Sequence, residues 1–452
     1  MAWGWNNKEE EKEEAESGSV ADVSAKIQAL LENARNKFHD EYKDVKLSVT
    51  CAALIQLYVQ VQAKSPSDKE FSRDLLYNKA GDVGQVKAKE HEDLQKCLNF
   101  AEWAYLSETK ELEKNLGTYG FSLLKQEKVE EAGCVGYFIA IDPTTKTALI
   151  GVKGTSSVSD CLTDCCAATS QQTLENSFVE GDDSLKEISA HEGILTSANA
   201  LATSLEPFAK DLFLPLGYKF LLCGHSLGAG AAGLTGVLLR SQYPELQTDN
   251  RLQVMAFAAP PVLNHKAALA CSSFTTTIVN NSDCVTRASL NNVEVLFKIL
   301  SDIQKKLVVA GMNPVDISST KAYLKKIREG SGGEMIMTTE EGSQVIDKAQ
   351  KDVSVDDPHH LYVPGKVVIL YRKWQDRKKR DEKITVLKQA AKEAGEKFDE
   401  KEALKDQEPL PVFCVHTDGV TDVLRLVEID SDMVNDHMCG AYHQMVDGLK
   451  IS

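Results

Sequence analysis

The stretch Gly224-His225-Ser226-Leu227-Gly228 decides how this chain is read. A short apolar run, Tyr218 to Cys223, precedes it, and a longer run of small and apolar residues, Leu227 to Leu239, follows. The order predicts a strand, a sharp turn and a helix. Such a turn lifts the Ser226 hydroxyl above the sheet edge, where it can reach a bound carbonyl. Glycines on both sides allow strand and helix to approach more closely than side chains would permit. The pentapeptide alone is not specific, since a Gly-rich turn with a structural serine has the same letters, so the flanking sequence has to supply the partners.

Downstream and upstream, β-rich runs alternate with helical ones. Cys134 to Ile141 and Thr147 to Lys153 flank Asp142-Pro143-Thr144-Thr145, a turn signal, and predict a hairpin. Helical sequence surrounds Ile194 to Ala209. Strands are expected at Tyr218 to Cys223, Arg251 to Phe257, Thr275 to Asn280, Lys366 to Tyr371, Pro411 to Val415 and Val423 to Ile429. Strands alternating with helices imply a mainly parallel sheet covered on both faces. Together with the turn at Ser226, this predicts the α/β class and the α/β-hydrolase fold.

A serine hydroxyl needs a base, and the base needs a carboxylate to fix its tautomer. In this fold the chain order is serine, acid, histidine. Asp283 directly follows the strand Thr275 to Asn280, at the strand's C-terminal end, where such sites lie. Asp249 precedes its strand and sits at the wrong end. His359, His360, His416, His437 and His443 all come later. His437 is favoured because it follows the last expected strand and precedes a helical run, Gly440 to Leu449. The oxyanion of an acyl-transfer intermediate requires two fixed N–H donors. Leu227, next to the serine, is one candidate; Thr155, at the end of the strand beginning at Thr147, is the other.

The 452 residues are 42% hydrophobic and carry a net charge of −16, ample for a large core and unsuited to nucleic acid. Eleven cysteines without C-x-x-C spacing suggest neither a zinc site nor a disulfide framework; reduced thiols in a cytoplasmic protein are expected. No metal and no cofactor is called for by the chemistry. No signal-peptide core or lipidation motif is read, and Leu47 to Val61 is too short to span a bilayer. Membrane contact is therefore expected only at the periphery, on a membrane or lipid-droplet surface.

The organisation expected is a disordered charged tail over 1–18, a helical region over 19–93, and the hydrolase domain over 94–449. Charged, mainly helical insertions are expected at about 293–357 and 372–407. Arg372 to Lys392 holds nine Lys/Arg against three Asp/Glu, with Trp374 near its start. A solvated charged helix is the plain reading; a surface for anionic lipid or calmodulin is the sharper one.

Several ordered motifs resemble the class 3 (fungal-lipase-like) lipases, and within them the catalytic domains of sn-1-specific diacylglycerol lipases. They are Val152-Lys153-Gly154-Thr155, Asp160-Cys161-Leu162-Thr163-Asp164, His191-Glu192-Gly193-Ile194, the serine turn, Phe257-Ala258-Ala259-Pro260-Pro261, Asn281-Ser282-Asp283-Cys284-Val285, Leu361-Tyr362-Val363-Pro364-Gly365-Lys366 and Asp432-Met433-Val434-Asn435-Asp436-His437-Met438. The resemblance covers about Leu94 to Leu449. It implies a Ser226-Asp283-His437 triad, oxyanion donors at Thr155 and Leu227, and a lid at about 162–188, which is polar and acidic around Glu180-Gly181-Asp182-Asp183. The membrane-bound members carry a transmembrane bundle that is not read here. The expected activity is hydrolysis of a fatty-acyl ester of an acylglycerol, di- or monoacylglycerol favoured. A phospholipase A1 or galactolipase would use the same residues, and a non-catalytic lipase-like scaffold is the reading from another class.

Overall fold

The structure, a computed structural model, describes residues 82–84, 86–128, 133–155, 168–248, 250–311, 339–372, 374–395, 410–427 and 433–451, with isolated positions within 31–46 and at 313 and 398. The tail expected over 1–18 lies outside the described residues, as does the helix expected over 47–63.

Among the described residues, a nine-stranded sheet organises the fold. Its strands are β1 (Asp82–Gly84), β2 (Ser122–Glu127), β3 (Tyr137–Asp142), β4 (Thr147–Val152), β7 (Lys219–His225), β8 (Leu252–Phe257), β9 (Thr275–Asn280), β10 (Lys366–Arg372) and β11 (Val412–Asp418), in the order β1-β11-β10-β9-β8-β7-β4-β3-β2. The central run β4-β7-β8-β9-β10 is parallel, and antiparallel pairs close both sides. A separate hairpin pairs β5 (Thr169–Thr173) with β6 (Glu187–His191).

Helices cover both faces. On one lie α3 (Glu192–Phe208), α4 (Leu227–Gln242) and α5 (His265–Ala270), sharing a core with Ile150, Phe220, Leu222 and Val254. On the other lie α1 (Ala88–Trp103), α2 (Thr109–Gly117) and α9 (Cys439–Asp447), with Phe100, Phe138, Phe257 and Tyr442 between them and the sheet. Fully burying each such side chain is worth about 1.5–3 kcal/mol relative to exposure. Strands buried on both faces explain their near-continuous apolar runs.

Four expectations require correction. The boundary at 93–94 falls inside α1, and β1, ahead of it, pairs with β11; the sheet therefore recruits chain from residue 82 onward. The run Val423 to Ile429 is no strand over its described part: 422–425 are turns. Because β1 occupies the far edge of β11, the apolar side chains serve as packing instead, Val423 and Leu424 against Ile369 and Tyr371, and Leu426 in a helical core.

The third concerns the lid. Residues 162–167 lie outside the described residues, but 169–188 is packed structure. Leu174, Phe178, Leu185 and Ile188 are buried, and the buried Arg240 donates to the Phe178 carbonyl at 3.0 Å while lying 4.5 Å from the Phe274 ring. Glu180 and Asp183 do face solvent, yet the apolar residues between the charges point inward. A moving cover cannot include this hairpin without opening the core.

The fourth concerns the insertion after β9. Its helices α6 (Leu290–Val309) and α7 (Thr339–Asp352) share a core with Leu31, Ala34, Tyr42 and Val45, Tyr42 stacking on Phe297 at 5.5 Å. The described positions of the N-terminal region, expected as a separate addition, thus pack into the core of this insertion. The charged segment after β10 forms α8 (Trp374–Ala394); most side chains of its basic first half lie outside the described residues.

Candidate active site

At the C-terminal end of β7 the chain turns in a single residue. Ser226 has φ 60° and ψ −132°, a left-handed conformation that costs a non-glycine residue about 1–3 kcal/mol. The turn is held from both sides: the Ser226 N–H donates to the Phe257 carbonyl at 2.9 Å, and its own carbonyl accepts from Ala229 N at 2.9 Å. A Cβ on Gly228 would stand 2.4 Å from the Val152 oxygen and 2.8 Å from the Gly154 nitrogen. One on Gly154 would stand 2.6 Å from the His225 oxygen. The end of β4 and the serine turn are thus in backbone contact, which brings the Gly154-Thr155 loop beside Ser226 and Leu227.

The serine is 2% exposed, and its Oγ lies 2.9 Å from His437 Nε2. His437 sits in a single 3₁₀ turn, Asn435–His437, just before α9. Its Nδ1 faces both Asp283 oxygens, at 3.0 and 3.1 Å. A carboxylate only accepts, so Nδ1 carries the proton and Nε2 offers its lone pair to the Ser226 hydroxyl. Asp283 leaves β9 through the left-handed Asn281, φ 42°. It is fully buried, and a buried carboxylate needs bonded donors. Besides His437, the Val285 N–H donates at 2.9 Å and the Tyr442 hydroxyl at 2.7 Å.

Tyr442 and His225 are the parts that sequence reasoning missed. Burial and the neighbouring Asp283 push the Tyr442 hydroxyl well above its ordinary range, so it stays a donor; in turn it accepts from Asn280 N at 2.9 Å. The only signal available was a tyrosine one helical turn past the base. His225, within the pentapeptide, donates from Nε2 to the His437 carbonyl at 2.8 Å, with the two rings 4.9 Å apart. Burial first, and the His437 charge second, lower its pKa to about 3. It stays neutral and adds no second cation beside His437.

This predicts a pH effect on stability. The unfolded chain protonates this imidazole below about pH 6.5, whereas the fold resists until about 3. The unfolded state therefore binds more protons in that window, and stability rises with pH, by up to ~1.4 kcal/mol per unit. Carboxylates act in the same direction, so the comparison is with His225→Gln, which keeps an Nε2 donor. Melting temperature should fall less steeply below pH 6.5 in the variant; parallel curves would refute the assignment.

The rival histidines lie elsewhere. His359 and His416 are exposed, His360 bonds the Ser354 carbonyl at 2.6 Å, and His443 meets Glu102 at 3.1 Å. Asp249 lies outside the described residues. Among the described residues no group of three or more His, Cys, Asp or Glu is placed to hold a metal ion, and no helix is long and apolar enough to cross a membrane.

A serine, an imidazole and a carboxylate gathered at the C-terminal ends of a mainly parallel sheet define the chain as an α/β-hydrolase. Residues 149–293 match the family model of the class 3 lipases. It is similar to mouse diacylglycerol lipase-beta, 30% identical over 162 residues, which are 35% of this chain and 22% of that protein. Human diacylglycerol lipase-alpha is 31% identical over 179 residues, 38% of this chain and 16% of that protein. The similarity thus spans about a fifth of these relatives' length. Among solved structures, the Lip2 lipase of Yarrowia lipolytica aligns over 46% of this chain and 77% of its own at 17% identity, TM-score 0.38. The lipase of Rhizopus microsporus var. chinensis aligns over 49% and 74% at 21% identity, TM-score 0.39.

Proposed function

We propose that the chain is a serine lipase that hydrolyses a fatty-acyl ester of an acylglycerol, di- or monoacylglycerol, through an acyl-enzyme on Ser226. The observation that carries this is His437 bridging Ser226 Oγ and Asp283 in a buried site. Nε2 takes the hydroxyl proton as Oγ attacks the ester carbonyl, and Asp283 stabilises the imidazolium. The developing oxyanion lies toward the Leu227 and Thr155 N–H groups. The imidazolium then protonates the leaving glycerol oxygen, and the acyl group stays on Ser226. Water, deprotonated by the same nitrogen, releases the fatty acid.

The residues next to the nucleophile, acid and base pack together in an apolar cluster. Cys284, Val285 and Ala288 pack with Leu227, Met433 and Val434, residues that flank the nucleophile, acid and base in sequence. The class 3 lipase match and the diacylglycerol lipase relatives support the acylglycerol. A fluorophosphonate probe should label the wild type and not Ser226→Ala. A panel of mono-, di- and triacylglycerols, phospholipids and galactolipids should then give the fastest turnover on di- or monoacylglycerol. Faster release from phospholipid or galactolipid would move the assignment to those head groups, and absence of labelling in the presence of lipid would remove the enzyme reading.

A further inference from the structure

The base of this site stands on a short turn, not on the sheet, and something must hold it against the acid. We propose that Asp436 is a positioning residue that clamps the turn carrying His437 to the loop carrying Asp283, so that the imidazole keeps both its bonds; this rests on the reading of Ser226, His437 and Asp283 as the catalytic set.

Three donors converge on one oxygen of the Asp436 side chain: Asn281 Nδ2 at 2.8 Å, the Ser282 N–H at 3.2 Å and Ser282 Oγ at 2.9 Å. The Asp436 carbonyl accepts from Asn280 Nδ2 at 2.8 Å. Beyond the acid, the Cys284 N–H donates to the Met433 carbonyl at 3.1 Å. Asp283 is thus bracketed by residues 280–282 and 284, all tied to 433–436. The acid loop has its own anchors: Asn281 N donates to the Leu370 carbonyl at 2.7 Å and Arg287 Nη2 to the Asn281 carbonyl at 2.9 Å. It is therefore the fixed partner, and the base turn is the part that the clamp positions. An ionised acceptor makes these bonds about twice as strong as neutral ones. Asp436 is adjacent to His437 in sequence, so a small shift of its backbone is passed directly to the imidazole.

If the clamp aligns the imidazole, its loss slows the chemistry and spares substrate binding, because a misplacement of about 1 Å costs about 100-fold in rate. The test measures kcat and KM of the full chain on a monomeric p-nitrophenyl ester for wild type, Asp436→Ala, Asp436→Asn and Ser282→Ala, with Ser226→Ala as control. Asp436→Ala should lower kcat about 100-fold with KM within about twofold. Asp436→Asn, which keeps an acceptor oxygen, should recover about tenfold of that, and Ser282→Ala should cost less when Asp436 is already alanine than in the wild type. Wild-type kcat in Asp436→Ala, with Ser226→Ala inactive, would overturn the clamp alone. If Asp436→Ala does not fold, Asp436→Asn and Ser282→Ala decide: lowered kcat at unchanged KM supports the clamp, and wild-type kcat in both overturns it. Full activity in Ser226→Ala would instead overturn the catalytic reading and the clamp with it.

Discussion

Ser226→Ala and His437→Ala should each lower kcat about a millionfold, and the double variant should be no worse than either single one. On the proposed mechanism the two groups act as a unit: the 2.9 Å contact between Oγ and Nε2 is where the proton would leave the nucleophile. Without the base, the hydroxyl must attack still protonated; without the hydroxyl, the imidazole has nothing to activate. What survives is binding and oxyanion stabilisation, about a thousandfold over water. The measurement is kcat on a soluble ester, with melting temperature as the control for folding. Ser226→Ala should melt close to wild type, since alanine has the same Cβ and meets the same strain at φ 60°. Losses that multiply in the double variant would mean that the two residues act independently.

The site was legible where its chemistry forces a local pattern. A one-residue turn between β7 and α4 demands glycine at Gly228, where even a Cβ would meet backbone, so the pentapeptide announces itself. Chain order then brought Asp283 forward, directly after β9, and His437 as well, although the strand expected just before His437 does not form over its described part. Tyr442 stayed hidden: its contact with Asp283 spans 159 positions and depends on how α9 docks across the sheet. His225 looked like filler within the motif, although its ring supports the backbone of the base.

The misreadings share a cause. Thr169–Thr173 is a polar edge strand, TSQQT, with no apolar alternation, and only its pairing with β6 reveals it. Val423 to Ile429 has strand composition, but composition records burial and not hydrogen-bond partners. The core joining Leu31 and Tyr42 to Leu296 and Phe297 depends on contacts between segments far apart in the chain, which periodicity cannot see.

Asp283→Asn should lower kcat about 10⁴-fold, although its shape is nearly unchanged. The carboxylate is surrounded by donors only: His437 Nδ1–H, the Tyr442 hydroxyl and the Val285 N–H. An amide supplies one accepting oxygen and one donating nitrogen, so the nitrogen must face one of these donors. Its best escape is for the histidine to change tautomer, accepting at Nδ1 and carrying the proton on Nε2. That nitrogen then points an N–H at Ser226 Oγ and cannot take the hydroxyl proton. The same change removes the negative charge that stabilises the imidazolium, so both halves of the proton transfer suffer. Tyr442→Phe makes the contrast: it deletes one bond to Asp283 and leaves the tautomer intact, so the expected loss is about tenfold, the worth of ~1–2 kcal/mol. Rates for the two variants at one pH, with fluorophosphonate labelling to count competent sites, separate these cases. Asp283→Asn within tenfold of wild type would mean that another group orients His437, and the place to look would be the carbonyl of that same residue, held by His225.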